Sequence, residues 1–202
     1  MSRMRTVATP SGPARLHIDG AGGRVLALGH GAGGGPDAPD LLATRDGALA
    51  LGWRVVRVEQ PWRVAGRRVA EAPPRLDAAW LAVLAEVERD VLVVGGRSAG
   101  ARVACRTAAA TGAVGVLALA FPLVAPGGRS RAAELALPLV PVRVVQGARD
   151  AFGVPAGAHV VAGADHAFAV RRKDGRSQRE VLEEVGDAAG EWLRTLARQT
   201  LT

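Results

Sequence analysis

The sequence predicts an α/β fold in which a mostly parallel sheet is flanked by helices. Short apolar runs rich in β-branched residues alternate along the chain with longer segments whose apolar residues recur at helical spacing. The 202 residues suffice for one domain with one core. We therefore expect residues 1–202 to form a single domain, in which 1–14 is a flexible N-terminal segment.

The predicted elements follow this alternation from the N-terminus. Strands are predicted at residues 16–19 (as an edge strand), 25–28, 53–58, 91–94, 115–121, 142–146 and 159–162. Helices are predicted at residues 40–51, 76–89, from 100 onwards and at 178–197. Trp80 and Trp192 lie on the apolar stripes of their helices and are predicted core anchors. The chain after Pro122 is too short for a cap domain before the next strand, so we expect a minimal lid.

The composition argues against a membrane protein. No apolar run reaches the roughly 20 residues that a spanning helix needs. The N-terminal stretch is basic but lacks the apolar core of a secretory signal. We expect a cytoplasmic protein that does not bind membranes.

The net charge of +7 does not indicate nucleic-acid binding. It arises from 26 Lys and Arg against 19 Asp and Glu, but the arginines are scattered, and only 3% of the residues are aromatic side chains that could stack on bases. The single Cys105 can form neither an internal disulfide nor a metal site, and is expected to be a small buried side chain. The sequence indicates no metal, no cofactor and no particular oligomeric state.

The strongest functional signal is the turn GRSAG at residues 96–100, which joins a buried strand to an Ala-rich helix. In this G-x-S-x-G pattern, flanking glycines permit a sharp corner that projects the hydroxyl of Ser98 above the sheet. The pentapeptide alone also fits an ordinary strand–helix turn whose serine caps the helix. Its interpretation therefore depends on the rest of the chain.

A second glycine-rich loop, residues 29–35, follows an earlier strand. Its backbone N–H groups could serve a phosphate site, a dinucleotide site or an oxyanion hole. The Gly-Lys-Ser/Thr of a phosphate loop is absent, whereas a dinucleotide site stays open because Glu59 ends the next strand. The pair His30-Gly31 before small residues instead favours an oxyanion amide opposite Ser98.

Two further residues complete a candidate triad. Asp150 and His166 each lie just beyond the end of a predicted strand, and active-site groups collect beyond the carboxyl ends of strands in open α/β sheets. Ser98, Asp150 and His166 occur in the Ser, acid, His order of the α/β hydrolases. Asp165 is poorly placed to orient the imidazole beside it, so Asp150 is the predicted acid.

Six motifs together resemble the dienelactone-hydrolase-like branch of the α/β hydrolases, which includes a testis-expressed protein and a subunit of a histone acetyltransferase complex. The motifs are GHGAGG at Gly29, VEQPW at Val58, GRSAGAR at Gly96, FPLVAPG at Phe121, GARDAFG at Gly147 and GADHAF at Gly163. The resemblance covers nearly everything after Arg24. It implies Ser98 as nucleophile, Asp150 as acid and His166 as base, with backbone amides near Ala32 and Ala99 as the oxyanion hole.

Two departures limit what the resemblance implies. Dienelactone hydrolases proper carry a cysteine nucleophile where this chain has Ser98, so hydrolysis of dienelactones is not implied. Bacterial members of the branch usually have His and Lys after the sixth strand, where this chain has VAPGGR at residues 124–129.

The sequence therefore predicts a serine hydrolase of carboxylesterase or thioesterase type, acting on a small-molecule ester or thioester through an acyl-enzyme. The alternative is a catalytically idle hydrolase-like fold that serves as a protein-interaction module, as the complex subunit in the same branch suggests. The predicted substrate-pocket residues are His30, Gly31, Gly33, Trp62 and Phe121.

Overall fold

A computed structural model describes residues 3–199 of the chain. Its centre is a sheet whose strands are β1 Arg3–Thr9, β2 Gly12–Asp19, β3 Arg24–Gly29, β4 Arg54–Glu59, β5 Val91–Arg97, β6 Gly115–Leu119, β7 Val142–Gly147 and β8 His159–Val161. The strand order is β1-β2-β4-β3-β5-β6-β7-β8. All neighbouring strands from β4 to β8 in this order pair in parallel. Strand β2 pairs antiparallel with both β1 and β4. The predicted α/β fold with a mostly parallel sheet is confirmed.

The helices in the described part of the chain cover both faces of this sheet. They are α1 Pro39–Leu49, α2 Pro61–Val64, α3 Pro73–Ala85, α4 Ala99–Thr111, α5 Ala132–Leu135 and α6 Gln178–Gln199, with a 3-10 turn at Arg172–Asp174. Helices α1, α2 and α3 each begin at a proline, whose missing N–H is not needed in a first turn. Helices α1 and α6 pack on one face, and α3 and α4 pack on the other.

Two apolar clusters fill the space between the sheet and its helices. One contains Trp80 of α3 and small residues of α4, and the other contains Trp53 and Trp192. All of β6 is buried because helices cover both of its sides. Trp80 and Trp192 are core anchors as predicted, and Cys105 is a buried free thiol.

The N-terminal segment corrects two expectations. Residues 3–14 are not a flexible segment, because Arg3–Thr9 forms β1 and pairs antiparallel with β2. The strand predicted at 16–19 is part of β2, which is not at the edge because it lies between β1 and β4. Most side chains of β1 are exposed, so backbone pairing rather than an apolar face defines it. Residues 1 and 2 lie outside the described part of the chain.

The connection between β6 and β7 is small, as predicted. It holds the four-residue helix α5 and a single bridge between Val124 and Ser130. The sheet edge that carries the carboxyl ends of the parallel strands therefore stays open. Among residues 3–199 no helix combines the length and the hydropathy needed to cross a bilayer.

Candidate active site

Ser98 stands at a sharp corner between β5 and α4. Its backbone has φ 52° and ψ −108°, a strained combination for a residue with a side chain, and its N–H donates to the Leu119 carbonyl at 2.9 Å. A Cβ at Gly100 would lie 2.1 Å from the Gly29 carbonyl oxygen, and one at Gly96 would lie 2.3 Å from the same atom. Both glycines of the motif are therefore required for β3, β5 and the start of α4 to approach so closely.

Ser98, His166 and Asp150 form one hydrogen-bonded chain. The Ser98 Oγ lies 3.0 Å from His166 Nε2, and His166 Nδ1 lies 2.8 Å from Asp150 Oδ2. With the ring proton on Nδ1, the imidazole donates to the carboxylate and accepts from the serine hydroxyl. Asp150 is buried, whereas Ser98 and His166 are partly exposed. The three side chains that the sequence predicts are thus brought together in the arrangement of a nucleophile beside an oriented base.

The Asp150 carboxylate is held by donors on both oxygens. Oδ2 accepts from Gln146 Nε2 at 2.7 Å as well as from His166, and Oδ1 accepts from the Phe152 N–H at 2.8 Å. Gln146 is fully buried and also lies within hydrogen-bond distance of the Phe121 carbonyl, at 3.0 Å. Sequence reasoning missed Gln146. A polar residue at the end of an otherwise apolar strand, four positions before the acid, was the available signal.

Arg97, the second residue of the serine motif, holds the loop that carries His166. Its Nη2 donates to the His166 carbonyl at 3.0 Å, and its Nε lies 3.2 Å from Asp40 Oδ2 at the start of α1. Burial raises the pKa of Asp40, although the neighbouring Arg97 opposes this shift. The Phe152 ring contacts the imidazole edge-on, with ring centroids 4.6 Å apart. No sequence pattern indicated that Arg97, Asp40 and Phe152 would meet around the histidine loop.

Neither rival acid is placed to orient His166. Asp165 Oδ1 accepts from two backbone amides of its own loop at 2.8 and 3.0 Å, so this carboxylate shapes the loop. Glu59 lies 3.4 Å from Arg15 and 3.5 Å from His17, away from Ser98. Asp150 is therefore the carboxylate that contacts the imidazole.

An open cleft of about 500 Å³ exposes the serine and the histidine. Its lining residues are Ala32, Gly33, Arg97, Ser98, Ala99, Arg102, Pro122, Pro126, Arg131, Phe152 and His166. Ala32 and Ala99, the predicted oxyanion residues, both lie at this cleft. Ala99 is the first residue of α4, where a backbone N–H has no acceptor within the helix.

Three of the predicted pocket residues lie beneath the cleft and do not line it. His30, Trp62 and Phe121 are at most 3% exposed, and each packs in the interior. The His30 Nδ1 donates to the Gly31 carbonyl at 2.9 Å, and its Nε2 accepts from the Gln60 N–H at 3.1 Å. Burial lowers the pKa of His30. This imidazole ties two loops together in its neutral form.

The two predicted pocket glycines have different surroundings. Gly33 lines the cleft. Gly31 is buried, and a Cβ there would lie 2.9 Å from Arg97 Nη1 and 3.5 Å from the Ser98 Cβ. Gly31 thus serves the packing of the serine corner. The described residues contain no group of three or more side chains placed to hold a metal ion.

The chain matches a known protein family, and its fold is similar to solved structures. The model of the family described as alpha/beta hydrolase domain matches residues 22–194. An alpha-beta serine hydrolase homologue from Coxiella burnetii has a similar structure, with a TM-score of 0.71 and 20% identity over 91% of this chain and 95% of that chain. No curated protein sequence gives a significant match.

Two further solved structures are similar in fold. A member of the α/β serine hydrolases without a lid, from Xanthomonas campestris, has a TM-score of 0.70 and 20% identity over 95% of this chain and 94% of that chain. Est1E from Butyrivibrio proteoclasticus has a TM-score of 0.72 and 14% identity over 96% of this chain and 99% of that chain. At such identities the likeness concerns the fold.

Proposed function

Because the chain belongs to the alpha/beta hydrolase domain family, we propose that it is a serine hydrolase that cleaves a small carboxylic ester or thioester. The observation that carries this proposal is the continuous hydrogen-bond chain from Ser98 through His166 to Asp150 at an open cleft. Within the family, we place the chain in the dienelactone-hydrolase-like branch. Sequence motifs such as GADHAF at Gly163 support that placement.

Acylation begins at Ser98. Its Oγ attacks the carbonyl carbon of the substrate while its proton passes to His166 Nε2, 3.0 Å away. The buried Asp150 holds the Nδ1 proton, which fixes the tautomer that leaves Nε2 able to accept, and its charge stabilises the imidazolium. The imidazolium then returns the proton to the alcohol or thiol as the C–O or C–S bond breaks, and the acyl group stays on Ser98.

The negative charge that develops on the carbonyl oxygen needs donors that are already in place. The amides of Ala32 and Ala99 supply them in this mechanism, since both residues line the cleft with Ser98. The start of α4 adds the favourable end of a helix dipole. In deacylation, His166 takes a proton from a water molecule that attacks the acyl carbon. The imidazolium then returns this proton to the Ser98 Oγ as the acyl–oxygen bond breaks, which releases the acid and restores the serine hydroxyl.

The open cleft favours short acyl chains. Long chains gain rate only where an enclosed apolar pocket binds them in the transition state, and here the short segment after β6 covers little of the site. We expect acetyl and butyryl esters to have higher kcat/KM than decanoyl esters.

The test is hydrolysis of 4-nitrophenyl esters and matched thioesters of these three acids by the native chain, Ser98→Ala and Ser11→Ala. Ser98→Ala should lose several orders of magnitude in kcat, because the nucleophile is gone. Ser11→Ala, in the β1–β2 turn, is the matched control and should retain the native rate. A folded native protein that turns over none of these compounds would favour the idle interaction module.

A further inference from the structure

The walls of the cleft are positively charged. Three arginines line it together with Ser98, namely Arg97, Arg102 and Arg131. None of its lining residues in the described part of the chain carries a carboxylate. A substrate that enters this cleft therefore meets cationic side chains on the way to the serine hydroxyl.

Arg131 differs from the other two arginines because it forms no ion pair with a carboxylate among the described residues, and Glu134 acts on it only through its nearby charge. Arg97 pairs with Asp40, and Arg102 Nε lies 2.8 Å from Glu134. Arg131 instead donates through Nη1 to a backbone carbonyl, that of residue 122, at 3.2 Å, and its Nε is buried without a hydrogen-bond partner. Its Nη2 makes no hydrogen bond to the described residues, so this group can still donate to an acceptor that enters the cleft.

The nearby carboxylates are already committed to other cations. Glu134 accepts from both Arg102 and Arg106, and Asp77 accepts from Arg106 through both oxygens. Although burial opposes it, hydrogen bonds from these two arginines hold the pKa of Glu134 below its usual value. Burial lowers the pKa of Arg131, and the positive charge of Arg102 lowers it further. Arg102, Arg106 and Arg131 thus face two carboxylates, those of Asp77 and Glu134. The arginine left without an ion pair, Arg131, lines the cleft.

We propose that the cleft takes esters or thioesters that also carry an oxyanion, either a carboxylate or a phosphate, and that Arg131 binds this group. The inference rests on the proposed hydrolase function and specifies its substrate class. A guanidinium presents parallel N–H donors that match two oxygens of such an anion. Arg131 directly follows the bridge between Val124 and Ser130 on the short lid segment, so the anion binds at the lid side while the ester lies over Ser98.

Matched ester pairs test the substrate class. In the first pair, the 4-nitrophenyl monoester of adipate carries a free carboxylate, and 4-nitrophenyl hexanoate has the same chain length without charge. The second pair consists of two phenyl butyrates whose leaving group carries either a para carboxylate, which is charged, or a para carboxamide, which is neutral. A para phosphonate in place of the carboxylate distinguishes the phosphate-like anion from the carboxylate. We expect the anionic member of at least one pair to have a kcat/KM at least tenfold higher, with the preference falling as salt is added.

Substitutions on the lid segment assign the preference to one residue. Arg131→Gln should lower the ratio of anionic to neutral kcat/KM by about tenfold or more, because it removes a charge-assisted pair. Arg131→Lys should restore part of the ratio. Arg129→Gln is the matched control, since Arg129 is exposed on the same segment and does not line the cleft. It should leave the ratio within about twofold.

A binding measurement separates this inference from the proposed function. In Ser98→Ala protein, the adipate monoester should bind at least about tenfold more tightly than in the Ser98→Ala, Arg131→Gln double variant, as measured by calorimetry. Equal binding, or equal kcat/KM within every pair, overturns the oxyanion assignment and leaves the hydrolase proposal intact. Arg131-dependent binding without turnover in the native chain supports the assignment and overturns the hydrolase proposal.

Discussion

The two sides of the cleft are built in different ways. On the Ser98 side, close packing fixes the position of each reacting group, and Gly100 is present because a Cβ there would collide with the Gly29 carbonyl. On the side of the loop after β3, Gly33 and Gly34 have no positive φ, and a Cβ at either would meet nothing within 4 Å. Close packing requires glycine at position 100, whereas positions 33 and 34 have room for a side chain. Substitutions should therefore be severe on one side and mild on the other.

The largest effect is expected at the buried carboxylate. Asp150→Asn places an amide NH2 either against the Phe152 N–H or against His166 and Gln146, because all three donate to the present carboxylate. The imidazole then loses its tautomer, and kcat for any ester that the native chain hydrolyses should fall by about 10⁴-fold. Steady-state kinetics on a folded variant measures this.

Asp165→Asn is the control for that substitution. Its carboxylate accepts only from amides of its own loop, so kcat should change far less than in Asp150→Asn. Comparable losses in the two variants would mean that loop order, and not the contact between Asp150 and the imidazole, sets the rate.

The next effect is on stability at the serine corner. In Gly100→Ala the new methyl would lie 2.1 Å from the Gly29 carbonyl oxygen, which forces β3 and α4 apart. We expect the free energy of unfolding to fall by about 3 kcal/mol, as for a strongly overpacked core. Urea denaturation followed by circular dichroism gives this value, and a loss below about 1 kcal/mol would show that the corner yields easily.

A smaller effect is expected from His30, a tightly held side chain beneath the open loop. Burial lowers its pKa in the folded state, so the unfolded chain binds a proton first as the pH falls below about 6.5. Stability should therefore decrease from pH 7 to pH 5, by about 1.4 kcal/mol for each unit of pKa depression. The variant His30→Gln keeps polar atoms near Gln60 and should lose this part of the pH dependence. If the free energy of unfolding changes with pH as steeply as in the native chain, groups other than His30 cause the dependence.

The smallest effect is expected at Gly34. Gly34→Ala adds a methyl to open space at a residue with ordinary φ, so the free energy of unfolding should stay within about 0.5 kcal/mol of the native value. The same urea titration used for Gly100→Ala measures it. If both variants lose similar stability, the contrast between the two sides of the cleft does not hold.

The sequence predicted those features that leave a pattern in the chain. Continuous apolar runs identified β3 to β8, and each triad residue lies shortly after the end of one of these strands, so Ser98, Asp150 and His166 could be named in advance. Strand β1 left no pattern, because it is held by backbone pairing while most of its side chains face solvent. Its recognition required the register with β2.

The predicted pocket residues show where the sequence does not determine the direction of a side chain. Trp62 in α2 and His30 after β3 both turn inward and contact each other, with ring centroids 5.4 Å apart. Residue type and loop position do not fix that choice. Arg131 is the opposite case. From the sequence, a basic residue in a short segment is expected to lie on the solvated surface, but in the structure Arg131 lines the cleft and forms no ion pair with a described carboxylate.

In the proposed mechanism, His166 and Asp150 activate Ser98 as a nucleophile. The most direct measurement is treatment of the native chain with a fluorophosphonate, which modifies only an activated serine, followed by peptide mass mapping. We expect a single adduct on Ser98 that disappears in His166→Ala and persists in Ser11→Ala. A folded native protein without an adduct, or with an adduct on Ser98 that survives in His166→Ala, would contradict it.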